Sequence, residues 1–332
     1  MNPKSIIISR TDSIGDVVLT LPMCGIIKEK FPECRIYFLS KAYTKSIVES
    51  CVHVDEYLDW DEMQKQSPGA QIAILQKTKA DVIIHVFPRK EVLWLAKRAR
   101  IPLRIATGRR LYTISKCNRL VFFSRKSSPL HESQLNLKLL KPIGIETEHE
   151  LTDLIGYYGF SREDEKAKRV VTQFLSAFDP GKKKIILHPL SKGSASDWSL
   201  ENYRELVALL SPEKFDVFIT GTKEEGERIH EVWHPEGKHV HDVTGRFNLA
   251  ELIAFIRQCD GLVAASTGPL HIASACGIHA FGLYSPKRPI HPGRWSPVGK
   301  NAHVIVAEKH PPKGQKLSIS PVEVYAVISS FL

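Results

Sequence analysis

The stretch "SIIISRTDSIGDVVLTLP", Ser5 to Pro22, runs from an apolar segment through Arg10 to two carboxylates, Asp12 and Asp16, set around Gly15, and then into a second apolar pattern. A β-branched run, a glycine-containing turn and a helical pattern read as strand, turn and helix, the opening unit of a parallel α/β sheet. Such a turn in a nucleotide-binding protein normally offers glycines to a phosphate, and a carboxylate there would repel it. This acidic turn is therefore expected to face a different part of a ligand, where a proton has to be removed. Asp16 stands at the start of its helix, where the positive end of the helix dipole favours an ionised carboxylate. It is the candidate general base, a role worth roughly 10²- to 10⁴-fold in rate. The plainer alternative is that Asp12 or Asp16 only caps the helix, and local signals alone favour it.

Outward from this turn, short β-branched runs alternate with helical patterns along the whole chain. Strands are expected at "SIIIS", "RIYFLS", "DEYLD", "DVIIHV" and "RIAT", with helices from Asp16, near Tyr43, from Asp61 and from Arg89. The pattern then restarts with "KKIILHP", "FDVFIT", "KHVHDV", "DGLVAAS" and "HAFGLY", and with helices after Ser199, Thr222, Asn248 and Gly268. A polar helix closed by Asp-Pro-Gly separates the halves. We expect two Rossmann-like domains, 1–160 and 161–318, and an amphipathic C-terminal helix, 319–332, packing back on the first domain. Ligands of such sheets bind beyond the carboxyl ends of the strands, so function is sought in the strand-to-helix turns.

The chain has 332 residues, 43% hydrophobic and 25% charged, a globular composition. No apolar run is long enough to cross a bilayer and no signal-peptide pattern is present, so a cytoplasmic protein is expected. Six scattered cysteines without a C-x-x-C pair suggest buried thiols rather than a zinc site or disulfides. The net charge of +10 is uneven: Arg89 to Lys126 holds Glu91 as its only acid. Such a surface suits nucleic acid, anionic lipid or a phosphorylated substrate, or is a solvated basic face.

Two further turns carry chemistry. In "ASTGPLHIASA", Ala265 to Ala275, Ser266 or Thr267 can cap a helix, Gly268 admits a close backbone approach, and Pro269 suits the first helical turn. The free amides and dipole of that end suit a pyrophosphate, with Leu270 contributing backbone and His271 a further donor. A capped helix with a structural histidine is the alternative. In "LHPLSKGSASDWSLENYREL", Ser191 and Lys192, with Gly193 and Ser194, could hold another side of the same group, while Trp198 reads as a packing residue. No P-loop pattern occurs.

"ISRTDSIGDVVLTLP", "LHPLSKGSASDWSLENYREL", "FITGTKEEGE" and "CDGLVAASTGPLHIASACGIHAFGLYSP" resemble, in this order, successive motifs of glycosyltransferase family 9, the ADP-heptose:lipopolysaccharide heptosyltransferases. The resemblance implies a GT-B fold, two Rossmann-like domains with parallel sheets facing across a cleft. The first would bind the acceptor and the second the sugar nucleotide. It implies inverting transfer of a heptose or related sugar from an ADP-sugar co-substrate, with no metal and no other cofactor. Asp16 falls on the family's base, and Thr267, Gly268, Leu270 and His271 on its donor pyrophosphate loop. Looser alignment brings Glu225 towards the ribose and Phe247 towards the adenine.

Two departures lie on the donor side. Ser266 stands where many members have aspartate, and Ser196 where many have a lysine, whose work Lys192 could do. Acceptors in the family are phosphorylated inner-core sugars on lipid A. Arg10, Asp12, Gly15, Arg109, Arg110, Arg125 and His131, with Glu132 beside it, are accordingly candidates for the acceptor side. The basic surface would hold the enzyme peripherally on the anionic cytoplasmic face of the inner membrane.

Several other readings compete. A GT-B enzyme using another nucleotide sugar or a protein acceptor keeps the same turns. A metal-dependent transferase would need an Asp-x-Asp, and Asp59-Trp60-Asp61 supplies the letters but sits where a strand ends and a helix begins, as punctuation and an N-cap. An NAD-dependent oxidoreductase lacks G-x-G-x-x-G in the first turn. A non-catalytic basic module binding nucleic acid would leave both special turns unexplained and shows no recognition motif, so no nucleic-acid partner is expected.

Overall fold

A computed structural model of the chain describes residues 2–108, 110–191, 193, 196–235, 237–312 and 316–332. They form two units, Met1–Arg162 and Glu163–Leu332. The strands of the first are β1 Ser5–Ser9, β2 Arg35–Ser40, β3 Glu56–Asp59, β4 Val82–His85, β5 Leu103–Thr107 and β6 Arg119–Val121. They make one parallel sheet in the order β3-β2-β1-β4-β5-β6. Ile6, Ile7 and Ile8 of β1 are 0% exposed, because a central parallel strand is covered on both faces. On one face Ile7, Leu39 and Ile83 pack with Trp60, Leu75 and Leu95.

The chain reverses direction across this sheet between β1 and β4, which pair with Ser9 opposite His85. The turn after β1 therefore opens at the switch point, where strand ends on either side diverge and leave a crevice. The helix expected from Asp16 is broken in two, Ile14–Val18 and Pro22–Lys30. Pro22 has no amide to continue the ladder and so begins a new helix, while Thr20 Oγ1 donates to the Asp16 carbonyl at 2.7 Å across the break. The second helix lies directly on Asp153–Tyr157: a Cβ at Gly25 would stand 2.3 Å from the Tyr157 carbonyl oxygen. Asp59 ends β3 and caps Trp60–Gln64, its Oδ1 accepting from the amides of Asp61 and Glu62 at 2.9 and 3.0 Å, as the punctuation reading required.

The second unit repeats the plan with β7 Lys183–His188, β8 Phe215–Ile219, β9 Val240–Asp242, β10 Gly261–Ala265, β11 His279–Tyr284 and β12 Ala302–Val306, in the order β12-β11-β10-β7-β8-β9. Counted from its own first strand, this is the order of the first sheet, so its switch point lies between β7 and β10. The sequence reading missed the last strand of each sheet. Both are edge strands: β6 has three residues and β12 is largely unburied, so neither carries the continuous apolar run of an inner strand.

The C-terminal helix Pro321–Ser329 contributes to the core of the second unit. Its Val324 and Ile328 are 0% exposed there, with Ile185, Leu206 and Ile319. The segment before it is pinned to that unit too, Trp198 Nε1 donating to the Ile319 carbonyl at 2.8 Å and Leu317 N to the Asp197 carbonyl at 2.9 Å. Amphipathicity says that a helix has a burying face but not which surface will cover it. All six cysteines are free, five of them buried. Among the described residues no helix is long and apolar enough to cross a membrane.

Candidate active site

In the first unit the acidic turn is built around one guanidinium. Arg10, the first residue after β1, has a side chain only 3% exposed, and each of its three nitrogens meets a carboxylate. Nε donates to Asp12 Oδ1 at 2.6 Å, Nη2 to Asp16 Oδ1, and Nη1 to Glu132 Oε1 at 3.3 Å. Burial disfavours the charged guanidinium, but Asp16, Asp12 and Glu132 more than offset this and hold it protonated.

Glu132, 1% exposed, also accepts from Arg125, whose Nη1 donates to Asn136 Oδ1 at 2.9 Å and whose Nη2 donates to the Val86 carbonyl at 3.2 Å. Asn136 Nδ2 in turn donates to the Leu19 carbonyl and Thr20 Oγ1, both at 3.2 Å, which ties the network to the break below Asp16. From the other side Tyr43 OH donates to the Asp12 carbonyl, and Arg89 donates to Thr11 Oγ1 and, at 3.0 Å, to its carbonyl.

Neither acid is a plain cap. Ser13 is the N-cap residue of Ile14–Val18 and makes no side-chain cap; its hydroxyl donates to Asp16 Oδ2. Asp16 keeps 16% of its side chain exposed and Asp12 22%, so both carboxylates reach the surface while their guanidinium does not. Burial raises Asp12 to about 6, against the pull of Arg10 and with the help of the Asp16 charge. The arrangement can take up a proton from a hydroxyl placed over Asp16.

In the second unit the turn after β10 begins the helix Gly268–Cys276, with Thr267 at its N-cap. Thr267 makes no side-chain cap, and its buried Oγ1 has no hydrogen-bond partner among the described residues. At the start of a helix the amides of Gly268 and Leu270 lack intrahelical acceptors and Pro269 has none to offer, so this end presents donors to an anion. His271 is 3% exposed, held inside the first turn. Burial drives the phenol of Tyr284 above its ordinary range, with Ser266 close enough to oppose this, and Tyr284 OH donates to the Trp295 carbonyl at 2.6 Å. The serine that stands in place of the family's aspartate thus lies near a phenol on the neighbouring strand. A carboxylate there would face a buried phenol.

Several expected site residues hold other posts. Arg10, expected on the acceptor side, is an internal cation whose side chain is 3% exposed. His131 is a buried N-cap, 1% exposed, whose Nδ1 accepts from Ser133 N at 3.2 Å while its own amide donates to Gln134 Oε1 at 3.0 Å. Arg110 donates to the Pro88 carbonyl at 3.3 Å and lies over Phe87, and Gly15 sits in the first turn of its helix. Ser191 donates to Asp197 Oδ1 at 2.6 Å. Glu225 completes a capping box with Thr222, accepting from its amide at 2.8 Å. Phe247 packs against Phe174 and Phe255, with centroids 5.5 and 4.9 Å away. Lys192 and Arg109 lie outside the described residues.

Sequence reasoning ranked Glu132 low and passed over Asn136 and Tyr284. Glu132 stands 122 residues from Arg10, and a glutamate in the first turn of a helix looks like any dipole-favoured acid until the fold sets it behind a guanidinium. Among the described residues, no group of three or more His, Cys, Asp or Glu side chains is placed to hold a metal ion.

Residues 75–322 match the family described as glycosyltransferase family 9 (heptosyltransferase). Relatives of the chain include a candidate glycosyltransferase of Haemophilus influenzae, 26% identical over 94% of this chain and 91% of its own, and the lipopolysaccharide core heptosyltransferase OpsX of the same species, 22% identical over 87% and 81%. Among solved structures, the Escherichia coli heptosyltransferase WaaC with ADP superposes with a TM-score of 0.74 at 18% identity, over 99% of this chain and 100% of that one. That likeness gives the fold, which is GT-B. The turn after β10 lies within that match, which covers most of the chain, and two parallel sheets of identical strand order agree with it: this protein belongs to glycosyltransferase family 9 and is a glycosyltransferase.

Proposed function

We propose that the chain transfers a heptose from an ADP-sugar to a hydroxyl of the lipopolysaccharide inner core, with inversion and without a metal. The observation that carries this reading is the Asp16 carboxylate, surface-reaching yet held by a buried arginine at the switch point of the first sheet. Asp16 takes the proton of the acceptor hydroxyl as its oxygen bonds to the anomeric carbon, and the bond from that carbon to the diphosphate breaks with its electron pair. The amides at Gly268 and Leu270 and the helix dipole meet the charge that builds on the departing ADP. Lys192 is assigned to the same diphosphate.

Transfer from ADP-heptose to a heptose-deficient lipopolysaccharide should proceed undiminished in excess EDTA. Loss of turnover in EDTA that added divalent metal restores would reject the metal-independent part. Transfer from a UDP- or GDP-sugar only, or to protein only, would keep the family and reject the donor or the acceptor.

The acceptor is lipid-linked in this reading, and the first unit has a surface suited to the cytoplasmic face of an anionic membrane. Residues 92–131 contain ten lysines and arginines and no acid. Within them Leu111 is 87% exposed, Phe122 74% and Ile114 52%. Phe122 lies against Gly108, whose Cβ would stand 2.3 Å from its ring, and so beside the turn that leads to Leu111. Each near-surface cation contributes roughly 1 kcal/mol towards an anionic leaflet, and exposed apolar side chains add insertion. The double substitution Leu111→Ser with Phe122→Ser should lower retention on phosphatidylglycerol vesicles about tenfold, and the loss should persist at high salt, where charge is screened. Equal retention of both proteins would remove the apolar part of this contact.

A further inference from the structure

We infer that Glu132 is a positioning residue whose charge, placed behind Arg10, keeps that guanidinium from quenching the Asp16 carboxylate, so that the base is held in place and still basic. The inference rests on Asp16 being the base and goes beyond it, because Glu132 touches no reacting atom.

A carboxylate paired with an arginine of its own is well aimed but a poor base, since a proton arriving on it leaves the cation unpaired in a buried place. Arg10 is not Asp16's own. Its Nε serves Asp12 at 2.6 Å, its Nη1 serves Glu132 at 3.3 Å, and the Nη2 that meets Asp16 also reaches Glu132 at 3.4 Å. Among the described residues, the ion pairs of the cluster join Arg10 and Arg125 to Asp12, Asp16 and Glu132, one negative charge in excess within that set. A single proton taken from an acceptor neutralises the cluster instead of creating a buried charge.

Glu132 supplies the excess without competing for substrate, since it is 1% exposed where Asp16 is 16% exposed. Arg125 moderates it from behind. The other groups around the turn act on its backbone or hold an oxygen: Tyr43 and Arg89 bond the main chain of Asp12 and Thr11, Ser13 the second oxygen of Asp16, and Asn136 both arginines. A buried carboxylate joined to two guanidiniums across such a distance in sequence could also be a structural tie alone, and the two roles differ in their pH behaviour.

The test is kcat against pH for Glu132→Gln and Arg125→Gln, with ADP-heptose and a heptose-deficient lipopolysaccharide. Removing the negative charge frees Arg10 to hold the Asp12/Asp16 pair ionised. In Glu132→Gln the acid limb should therefore move down by about one pH unit and plateau kcat should fall about tenfold, with KM for ADP-heptose unchanged. Removing the moderating cation has the opposite sign, so in Arg125→Gln the limb should move up. Limbs that stay in place, or that move in the same direction, overturn the inference and leave Glu132 a structural tie. If Glu132→Gln fails to fold, the direction of the Arg125→Gln limb decides. Full turnover in Asp16→Ala would instead overturn the base assignment, and this inference with it.

Discussion

Asp16→Asn should lower kcat by roughly 10²- to 10⁴-fold while ADP affinity stays as it is. The substitution keeps the shape and a hydrogen-bond acceptor for Arg10 but removes the group that takes the acceptor's proton. The ADP-binding turn assigned here, Thr267 to His271, belongs to the other unit and shares no residue with the acidic turn. The two measurements therefore separate chemistry from donor binding.

The same pair governs the pH dependence of the native enzyme. With Asp12 raised to about 6 by burial and by the neighbouring Asp16 charge, the acidic turn loses one of its charges near that pH. A step in turnover centred near that pH should be present in the native enzyme and absent from Asp12→Asn, which has no carboxyl there to titrate. A kcat unaffected by Asp16→Asn would place the base elsewhere, whereas a parallel loss of ADP affinity would show that the substitution disturbs more than the acidic turn.

Arg10→Met should destabilise the protein by about 3–5 kcal/mol at neutral pH, because it leaves the carboxylates of Asp12, Asp16 and Glu132 close together without their shared cation. The sign of the pH dependence follows from linkage. Without Arg10 these groups ionise in the folded state at a higher pH than in the unfolded chain. Stability is then present while they are protonated and is lost as pH rises from the unfolded value near 4 through the raised folded values. The deficit relative to the native protein should be largest at pH 8 and smaller at pH 5, as measured by denaturant unfolding at both. An equal deficit at the two pH values would mean that the loss comes from packing around the Arg10 stem rather than from charge.

Local pattern was informative wherever one element carries the whole signal. The inner strands, the Asp59 cap, the packing role of Trp198 and the two chemically unusual turns each lie within about twenty residues of chain, and each stands where the pattern put it. Edge strands β6 and β12 did not show because an edge carries no two-sided apolar run. His131 and Glu225 illustrate a different limit. A polar side chain beside a helix start is equally a ligand or a cap in sequence, and only hydrogen-bond geometry tells them apart.

By itself, then, the sequence determined the fold class, the repeat of one α/β plan, the family, and the acid that stands at the first strand-to-helix turn, since all of these rest on short-range periodicity and contiguous motifs. Tertiary structure alone decided that Arg10 lies inside the protein, that Glu132 and Arg125 stand behind it, that Tyr284 meets the Trp295 carbonyl, and that the C-terminal helix covers the second unit's core. Each of these joins residues far apart in the chain or in different elements, and the energy of a buried charge or an apolar face depends on what the fold sets against it, which no local pattern contains.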